Sequence, residues 1–277
     1  MSVRSSRKVV LAEVRAVREL SAHMRRITLQ LDDLAGYVHE GPDQLVRVFF
    51  PLDHQRVPVL PPGDDWWPAN QALPEDIRPP IRNYTVRRFD PTRREVDIDF
   101  VLHGDVGPGT RWGTSARPGD RIGLLSDGCG YVEPAGTTAR ILVADESALP
   151  AVGAIVESLP AGAKASVFVE VYGPAEEQRF ETAADVDVTW IHRGHGADGS
   201  GARAVERLAG HPVAAAGLYA WVSGEAGLVK AVRRHLVDRG VPKKKIYFCG
   251  YWLHKRNDNE AFLAEVDAEL AEAAAQQ

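Results

Sequence analysis

The run IRNYTVRRFD at 81–90 places an arginine, a tyrosine and a threonine where they could hold a phosphate-bearing ligand. Its strand-forming residues predict a β-strand on which Arg82 and Tyr84 point to one side and Thr85 to the other. A guanidinium can bind phosphate through two parallel hydrogen bonds, and a tyrosine offers a flat apolar face with a polar tip. Taken by its spacing alone, the run also fits a solvated strand face, so this alternative stays open.

A glycine-rich run, HGDVGPGTRW at 103–112, ends the strongly alternating stretch EVDIDFVLH. Its glycines remove side chains from one side of a predicted loop, so backbone N–H groups can approach an anion. Thr110 is placed to cap a short helix whose N-terminus would face the same anion. The alternative is a glycine-rich connection followed by a core tryptophan. The candidate ligand-binding residues of this run are His103, Gly104, Gly107, Thr110 and Trp112.

Two junctions in the second half of the chain have the composition of ligand-binding loops. ADESALPA at 144–151 and SGEAG at 223–227 each follow an apolar strand and open a helix, and parallel sheets bind ligands beyond the C-terminal ends of their strands. The GxGxxG fingerprint of ordinary dinucleotide-binding folds is absent. Helix capping at the first junction and tight strand–helix packing at the second are the alternatives. The candidate cofactor-binding residues are Asp145, Glu146, Ser147, Ser223, Gly224 and Glu225.

Basic residues flank the last predicted strand, IYFCGYW, and one arginine follows an earlier strand. Such clusters can gather anionic ligands at a cleft, and a solvated face is the alternative. Arg193 lies where the 2′-phosphate of a dinucleotide would be expected to meet a cation, which favours NADPH over NADH. The basic residues before and after the strand, proposed to bind substrate, are Lys243, Lys244, Lys245, His254, Lys255 and Arg256.

No side-chain catalyst and no metal site is predicted from the sequence. GxSxG, HExxH and Walker motifs are absent, and each of these would mark a specific hydrolytic or nucleotide-binding chemistry. His192, His195 and His211 are scattered around a glycine-rich loop rather than set at metal-ligand spacing. We therefore name no general acid or base.

The composition is that of a soluble globular protein. The chain has 277 residues, 44% of them hydrophobic and 26% charged, and its net charge of −5 gives no global attraction to nucleic acid. Cys129 and Cys249 form no CxxC pair, which favours a reducing cytosol. The N-terminus has no secretory leader, and no window approaches the ~20 apolar residues of a membrane span. We expect a cytoplasmic protein without membrane insertion, as a monomer or weak dimer.

The two halves of the chain have different secondary-structure patterns. Short alternating segments in the first half predict an antiparallel barrel or sandwich at 1–135. The segment at 57–80 is rich in proline and predicts no regular structure; it either lies over a site or is a floppy insertion. Continuous apolar strands alternating with helices predict a parallel α/β domain at 136–277, closed by a C-terminal helix at 259–273. A barrel docked at the open edge of such a sheet would complete a ligand cleft.

In order and separation, the motifs RNYTVR, HGDVGPGTRW, ADESALPA, VSGEAG and IYFCGYW resemble those of the siderophore-interacting proteins. The resemblance covers nearly the whole chain. It implies an N-terminal antiparallel Greek-key β-barrel that binds FAD and a C-terminal, ferredoxin-reductase-like α/β domain with a parallel sheet that binds NADH or NADPH. It also implies that the protein reduces Fe(III)-siderophores to Fe(II) and releases iron for the cell.

The resemblance also implies roles for the candidate residues. Arg82 would meet a flavin phosphate, and Tyr84 and Thr85 would line the ribityl chain and isoalloxazine. The residues of the glycine-rich run would hold the pyrophosphate and adenine side, and the two junctions would face the nicotinamide cofactor. The last strand would approach the flavin through Tyr251 and Trp252.

Some positions fall outside the implied site or depart from the family pattern. Arg87 and Arg88 are predicted to be surface charge. Gly109 stands where alanine is common, and Leu253 where an arginine is often found, so the basic residues that follow would supply the charge. Two other functions are compatible with the same architecture: a flavin or ferredoxin-type reductase, and a non-enzymatic carrier of ferric siderophores.

Overall fold

The computed structural model describes residues 8–102, 107–194, 201–213 and 215–253. Its contacts separate the chain into two units, the first ending at Cys129 and the second beginning at Gly130. In the second unit, Gly130 packs against the ring of Tyr247, and the rings of Tyr131 and Tyr219 lie 5.4 Å apart. The domain limits predicted from the sequence, 1–135 and 136–277, stay a prediction.

The first unit is a closed antiparallel barrel of six strands in the order β1-β2-β5-β4-β3-β6. Three consecutive strands, β3 to β5, form a meander, and β6 returns beside β3, which is Greek-key topology. The predicted antiparallel barrel is therefore confirmed. The strands are β1 (Val10–Glu19), β2 (Met24–Leu31), β3 (Leu45–Phe49), β4 (Ile81–Asp90), β5 (Glu95–Val101) and β6 (Arg121–Ser126).

Strand β5 shows how the alternation builds the barrel. Val96, Ile98 and Phe100 are fully buried in the barrel core, as their spacing predicts. The opposite face is not simply solvated, because Asp99 is also buried. Arg26 donates from Nε and Nη2 to the two carboxylate oxygens of Asp99 at 2.6 and 2.7 Å, so the buried charge is paired.

The excursion at 57–80 packs on the outside of the barrel. Leu60 and Trp66 cover an outer cluster of Phe49, Ile81 and Leu125. The Trp66 ring meets Phe49 edge-on at 5.7 Å. The sequence predicted no regular structure here. This prediction is wrong for six residues, which form a short helix, α1 (Trp66–Gln71). Tryptophan burial against the outer strands stabilises this helix despite its proline.

The second unit is a five-stranded parallel sheet in the order β11-β10-β7-β8-β9 with helices between the strands. The predicted parallel α/β architecture is confirmed, and the predicted helix at 259–273 lies outside the described residues. The strands are β7 (Ala139–Asp145), β8 (Lys164–Val171), β9 (Asp185–His192), β10 (Leu218–Glu225) and β11 (Ile246–Trp252). The helices are α3 (Leu149–Ser158), α4 (Ala202–Ala209) and α5 (Ala226–Asp238).

Strand β10 lies between β7 and β11, and all eight of its residues are buried. One face of the sheet packs against α4 and α5 in a continuous apolar core. Because the five strands are parallel, the segments after β7, β10 and β11 all emerge at one edge of the sheet. Within the described part of the chain, no helix is both long enough and apolar enough to cross a membrane.

Candidate ligand-binding sites in the two units

In the first unit, Arg82 lies beside the N-terminus of a short helix, α2 (Pro108–Ser115). Gly107 precedes this helix with φ +93°, a conformation that favours glycine. A Cβ atom at Gly107 would lie 4.0 Å from Nη2 of Arg82, so the guanidinium stands at the helix entrance. None of the described side chains caps the helix, which leaves its first N–H groups directed at the same point.

The positive charge at this point is not balanced by the described residues. Arg82 donates from Nη1 to the carbonyl of Ile81 at 2.6 Å, and no described carboxylate pairs with it. Burial lowers the pKa of Arg82, and the neighbouring Arg111 lowers it further, against an opposing effect of Tyr84. Two guanidinium groups and a helix N-terminus together form a cradle for an anion. The sequence analysis missed Arg111, although it lies within the glycine-rich run.

Tyr84 brings its hydroxyl to the same cradle. Its ring packs in the barrel core, 4.4 Å from the ring of Phe100, and burial raises the pKa of the phenol well above its ordinary value. The hydroxyl therefore stays protonated and can donate a hydrogen bond. A Cβ atom at Gly109 would overlap the Tyr84 hydroxyl oxygen, which gives a physical reason for glycine at that position.

Thr110 and Trp112 of the glycine-rich run have clear structural roles, and their predicted contacts with FAD stay predictions. The capping role of Thr110 is wrong, because the helix starts at Pro108 and the N-cap position belongs to Gly107. Thr110 is buried in the first turn, where its carbonyl accepts from the Thr114 hydroxyl at 2.8 Å. Trp112 packs 5.5 Å from Phe100 against the barrel core, as the alternative interpretation had it. His103 and Gly104 lie outside the described residues.

The opposite side of β4 carries polar groups that face away from the cradle. Thr85 is buried, and so is the Oδ1 atom of Asn83, which has no hydrogen-bond partner within the described ranges. Asn83 belongs to the candidate run at 81–90, but the sequence assigned it no role. Arg87 is 7% exposed, so its assignment as surface charge is wrong; it lies at a β-bulge between Val86 and Arg88. Arg88 is exposed as predicted.

In the second unit, the Asp145 carboxylate accepts hydrogen bonds from residues at the ends of three strands, β7, β10 and β11; we call this arrangement the Asp145 junction. Its Oδ1 atom accepts from the N–H and hydroxyl of Ser147 at 2.8 and 2.5 Å. Its Oδ2 atom accepts from the N–H of Glu225 at 2.7 Å and from Nε1 of Trp252 at 2.8 Å. A carboxylate has about four acceptor sites, so these contacts use its whole capacity. Asp145 therefore positions its neighbours at this edge, and its place beside a cofactor stays a prediction.

Gly224 lets this junction form. Its φ is +142°, and a Cβ atom there would come within 2.8 Å of the Asp145 carboxyl carbon. The next residue, Glu225, caps α5 by accepting from the backbone N–H groups of Gly227 and Leu228. The predicted cofactor-facing residue Glu225 therefore places its carboxylate on its own helix. Directly before Gly224, the Ser223 hydroxyl is buried and has no hydrogen-bond partner in the described ranges.

Trp252 ends β11 at this edge, and its indole is oriented by Asp145. Its Nε1 donates to Asp145, yet the residue is 38% exposed, which is high for tryptophan at the end of a buried strand. An oriented and partly exposed indole therefore lies at this edge, while Tyr251 is half-buried. An aromatic ring of a ligand could stack on such an indole.

The predicted cations of the second unit are dispersed. Arg193 forms a two-point ion pair with Glu146, through Nη1 to Oε2 and Nη2 to Oε1. The lysines at 243–245 form a helical turn immediately before β11, so they lie at the opposite end of that strand from Trp252, roughly 20 Å away at ~3.3 Å per residue. The structure does not bring them to the edge that carries Asp145. His254, Lys255 and Arg256 lie outside the described residues.

Comparison with known proteins agrees with both units. Residues 13–129 match the family model described as siderophore-interacting FAD-binding domain, and residues 137–255 match the model described as siderophore-interacting protein. The ferric vibriobactin reductase of Vibrio cholerae is 34% identical over 248 residues, which cover 87% of each protein. The chain belongs to the siderophore-interacting protein family. The resemblance that its motifs carried is thereby confirmed.

Two further members of the comparison extend this result. The NADPH-dependent ferric-chelate reductase of Escherichia coli is 29% identical, covering 85% of this chain and 89% of that protein. The crystal structure of a siderophore utilization protein from T. fusca superimposes with a TM-score of 0.79 at 35% identity, covering 90% of this chain and 94% of that one. The family match therefore spans both units.

Proposed function

We propose that this siderophore-interacting protein is a flavin-dependent oxidoreductase that reduces Fe(III)-siderophores with electrons from NADH or NADPH, releasing iron for the cell. The observation that carries the proposal is the positive cradle of Arg82 at the N-terminus of α2, to which the charge of Arg111 adds and which no carboxylate among the described residues balances. It lies within the span matched by the FAD-binding family model. A pyrophosphate is the part of FAD that such a cradle fits.

Within the first unit, each residue has a task towards FAD. Arg82 and the N–H groups of α2 bind the pyrophosphate, and the Tyr84 hydroxyl adds a neutral donor beside them. Thr85 and the buried Asn83 oxygen offer polar atoms on the other side of the strand. Bound flavin supplies the redox chemistry, since it accepts two electrons from a nicotinamide and can release them singly to iron. None of these side chains has to gain or lose a proton.

The second unit receives the nicotinamide cofactor at the edge where its parallel strands end. Asp145 orients Trp252, whose partly exposed indole can hold an aromatic ring in place. The hydroxyl of Ser223 is buried at the same edge and has no hydrogen-bond partner within the described ranges. These residues bind and orient, which is the contribution that hydride transfer requires of a protein.

Iron enters this scheme as substrate. Siderophore donors hold Fe(III) far more strongly than Fe(II), so reduction loosens the complex. Many ferric catecholate complexes are anionic, and the lysines at 243–245 stay a proposed contact for them although they lie far from Trp252. The cytoplasm is the proposed location, supported by Cys129 and Cys249, neither of which forms a disulfide. Monomer or weak dimer stays a prediction.

The proposed function is tested with the purified protein and a ferric catecholate. We expect a yellow protein whose flavin absorbance bleaches anaerobically with NADH or NADPH and returns on addition of the siderophore, with Fe(II) trapped by a chelator. Arg82→Gln should weaken FAD binding roughly tenfold or more, because it removes charge-assisted hydrogen bonds of ~1.5–3 kcal/mol. Arg88→Gln, on the exposed side of the same strand, is the matched control.

Three results would count against the proposal. A colourless protein that takes up no FAD would remove the flavin chemistry. Equal FAD affinity in Arg82→Gln and Arg88→Gln would show that the cradle does not hold the pyrophosphate. A flavoprotein that reduces ferredoxin or free flavin but no ferric siderophore would be a reductase of the same fold with another acceptor.

A further inference from the structure

Arg193 and Glu146 meet at the edge of the second unit where a dinucleotide ribose would lie. Arg193 directly follows β9 and Glu146 directly follows β7, so the pair spans the end of β8 between them. The guanidinium uses both terminal nitrogens on the two carboxylate oxygens of Glu146. The side chains are only 16% and 18% exposed, so water screens the pair weakly.

Among the described residues, the charges that act on Arg193 are negative. Burial lowers the pKa of Arg193, and Glu146, Asp145 and Glu170 together raise it by more. Glu146 is in direct contact with the guanidinium, and the other two carboxylates act through their charge. A second anion arriving at Arg193 must therefore displace Glu146 or bind beside it, close to charges of its own sign.

The two pyridine nucleotides differ only at the ribose 2′ position. A carboxylate that accepts from the 2′-hydroxyl selects NADH, whereas an available arginine accommodates the 2′-phosphate of NADPH. Glu146 has about four acceptor sites and uses two on Arg193, so it can still accept from a hydroxyl. Arg193 spends its end-on pair of donors on Glu146, so a phosphate could use only the remaining N–H groups, beside the Glu146 carboxylate.

We propose that Glu146 masks Arg193 and thereby makes this protein prefer NADH, with a 2′-hydroxyl, over NADPH, with a 2′-phosphate. The inference rests on the proposed function, because it concerns the nucleotide that serves the same reaction. It reverses the expectation that Arg193, read from the sequence alone, favours NADPH. An arginine indicates a phosphate site only when no carboxylate of the protein has already taken it.

The test compares 5′-AMP with adenosine 2′,5′-bisphosphate, which differ only by the 2′-phosphate, by titration calorimetry on the FAD-loaded full chain. The wild type should bind 5′-AMP at least as tightly as the bisphosphate. Glu146→Gln should tighten binding of the bisphosphate about tenfold relative to 5′-AMP, because it releases a charge-assisted pair. Adding Arg193→Gln to that variant should abolish the gain.

Glu177→Gln is the matched control. Glu177 accepts from His192 at 2.8 Å on the adjoining surface, so its neutralisation removes one negative charge nearby while the Arg193 pair stays intact. It should leave the ratio of the two affinities unchanged. The wild-type ratio tests the inference even if a variant folds poorly.

The outcomes separate the inference from the proposed function. Tighter binding of the bisphosphate by the wild type, or an unchanged ratio in folded Glu146→Gln, overturns the NADH preference while siderophore reduction stands. If Glu146→Gln and Glu177→Gln tighten binding of the bisphosphate equally, the effect is one of net charge, and the NADH preference is also overturned. A protein that binds neither nucleotide and is reduced by neither NADH nor NADPH overturns the proposed function and this inference together.

Discussion

The Asp145 junction makes a strong prediction for one substitution, Asp145→Asn. The change keeps the shape of the side chain but turns one acceptor atom into an NH2 group. On the Oδ2 side that group would confront two N–H donors, those of Glu225 and Trp252. On the Oδ1 side it would confront the Ser147 N–H, although the Ser147 hydroxyl could turn to accept from it. Either orientation leaves buried donors without an acceptor.

The expected loss follows from these contacts. Hydrogen bonds to a charged group contribute ~1.5–3 kcal/mol each, and an unsatisfied buried donor costs ~1–3 kcal/mol. Because the amide retains half of the acceptor capacity, we expect about 3 kcal/mol less stability, out of ~5–15 kcal/mol for a typical domain. The Trp252 indole would also lose its fixed orientation.

Two measurements check this reasoning. Urea unfolding gives the free-energy difference, with Asp187→Asn on the exposed side of β9 as control, expected within ~0.5 kcal/mol of wild type. Proton–nitrogen NMR spectra show the Nε1–H signal of Trp252, which is assigned by its absence in Trp252→Phe. This signal should move upfield in Asp145→Asn, because its hydrogen-bond acceptor becomes weaker. A loss below ~1 kcal/mol with an unmoved indole signal would refute the junction as described.

Two more substitutions test the cradle and the lysine turn. Gly109→Ala should weaken FAD binding about tenfold, because the new methyl overlaps the Tyr84 hydroxyl and overpacking costs ~1–3 kcal/mol; Gly173→Ala, with open space around it, is the control for flavin titration. Unchanged FAD affinity would place the phosphate elsewhere. Neutralising the lysines at 243–245 should slow reduction of an anionic ferric siderophore more than that of a neutral acceptor in steady-state kinetics. Equal slowing would remove them from the substrate site.

The architecture could be predicted from the sequence because it depends on periodicity along the chain. Alternation at Val96, Ile98 and Phe100 marks a strand of an antiparallel barrel, since successive side chains of a strand point to opposite faces. Unbroken apolar strands between helices mark a sheet covered on both faces. The two-part fold was predicted in this way and is confirmed. The family and the FAD-binding first unit were predicted from the resemblance of the motifs, and they are confirmed as well.

The partners of single side chains depend on which strands become neighbours and on local geometry, and only the tertiary structure decided them. A bulge in β4 buries Arg87, and the start of α2 at Pro108 moves the cap from Thr110 to Gly107. Because β10 lies between β7 and β11, Asp145 meets donors from residues 80 and 107 positions further along the chain.

Arg193 shows the limit of sequence reasoning most clearly. Its position after the third strand of the parallel sheet could be read from the chain, and so could its charge. Whether its guanidinium is available to a ligand could not be read from the chain, because Glu146 lies 47 positions away and reaches Arg193 only when β7, β8 and β9 align. Residue type and position thus determine what chemistry a side chain can offer. Folding decides whether the protein itself has already used that chemistry.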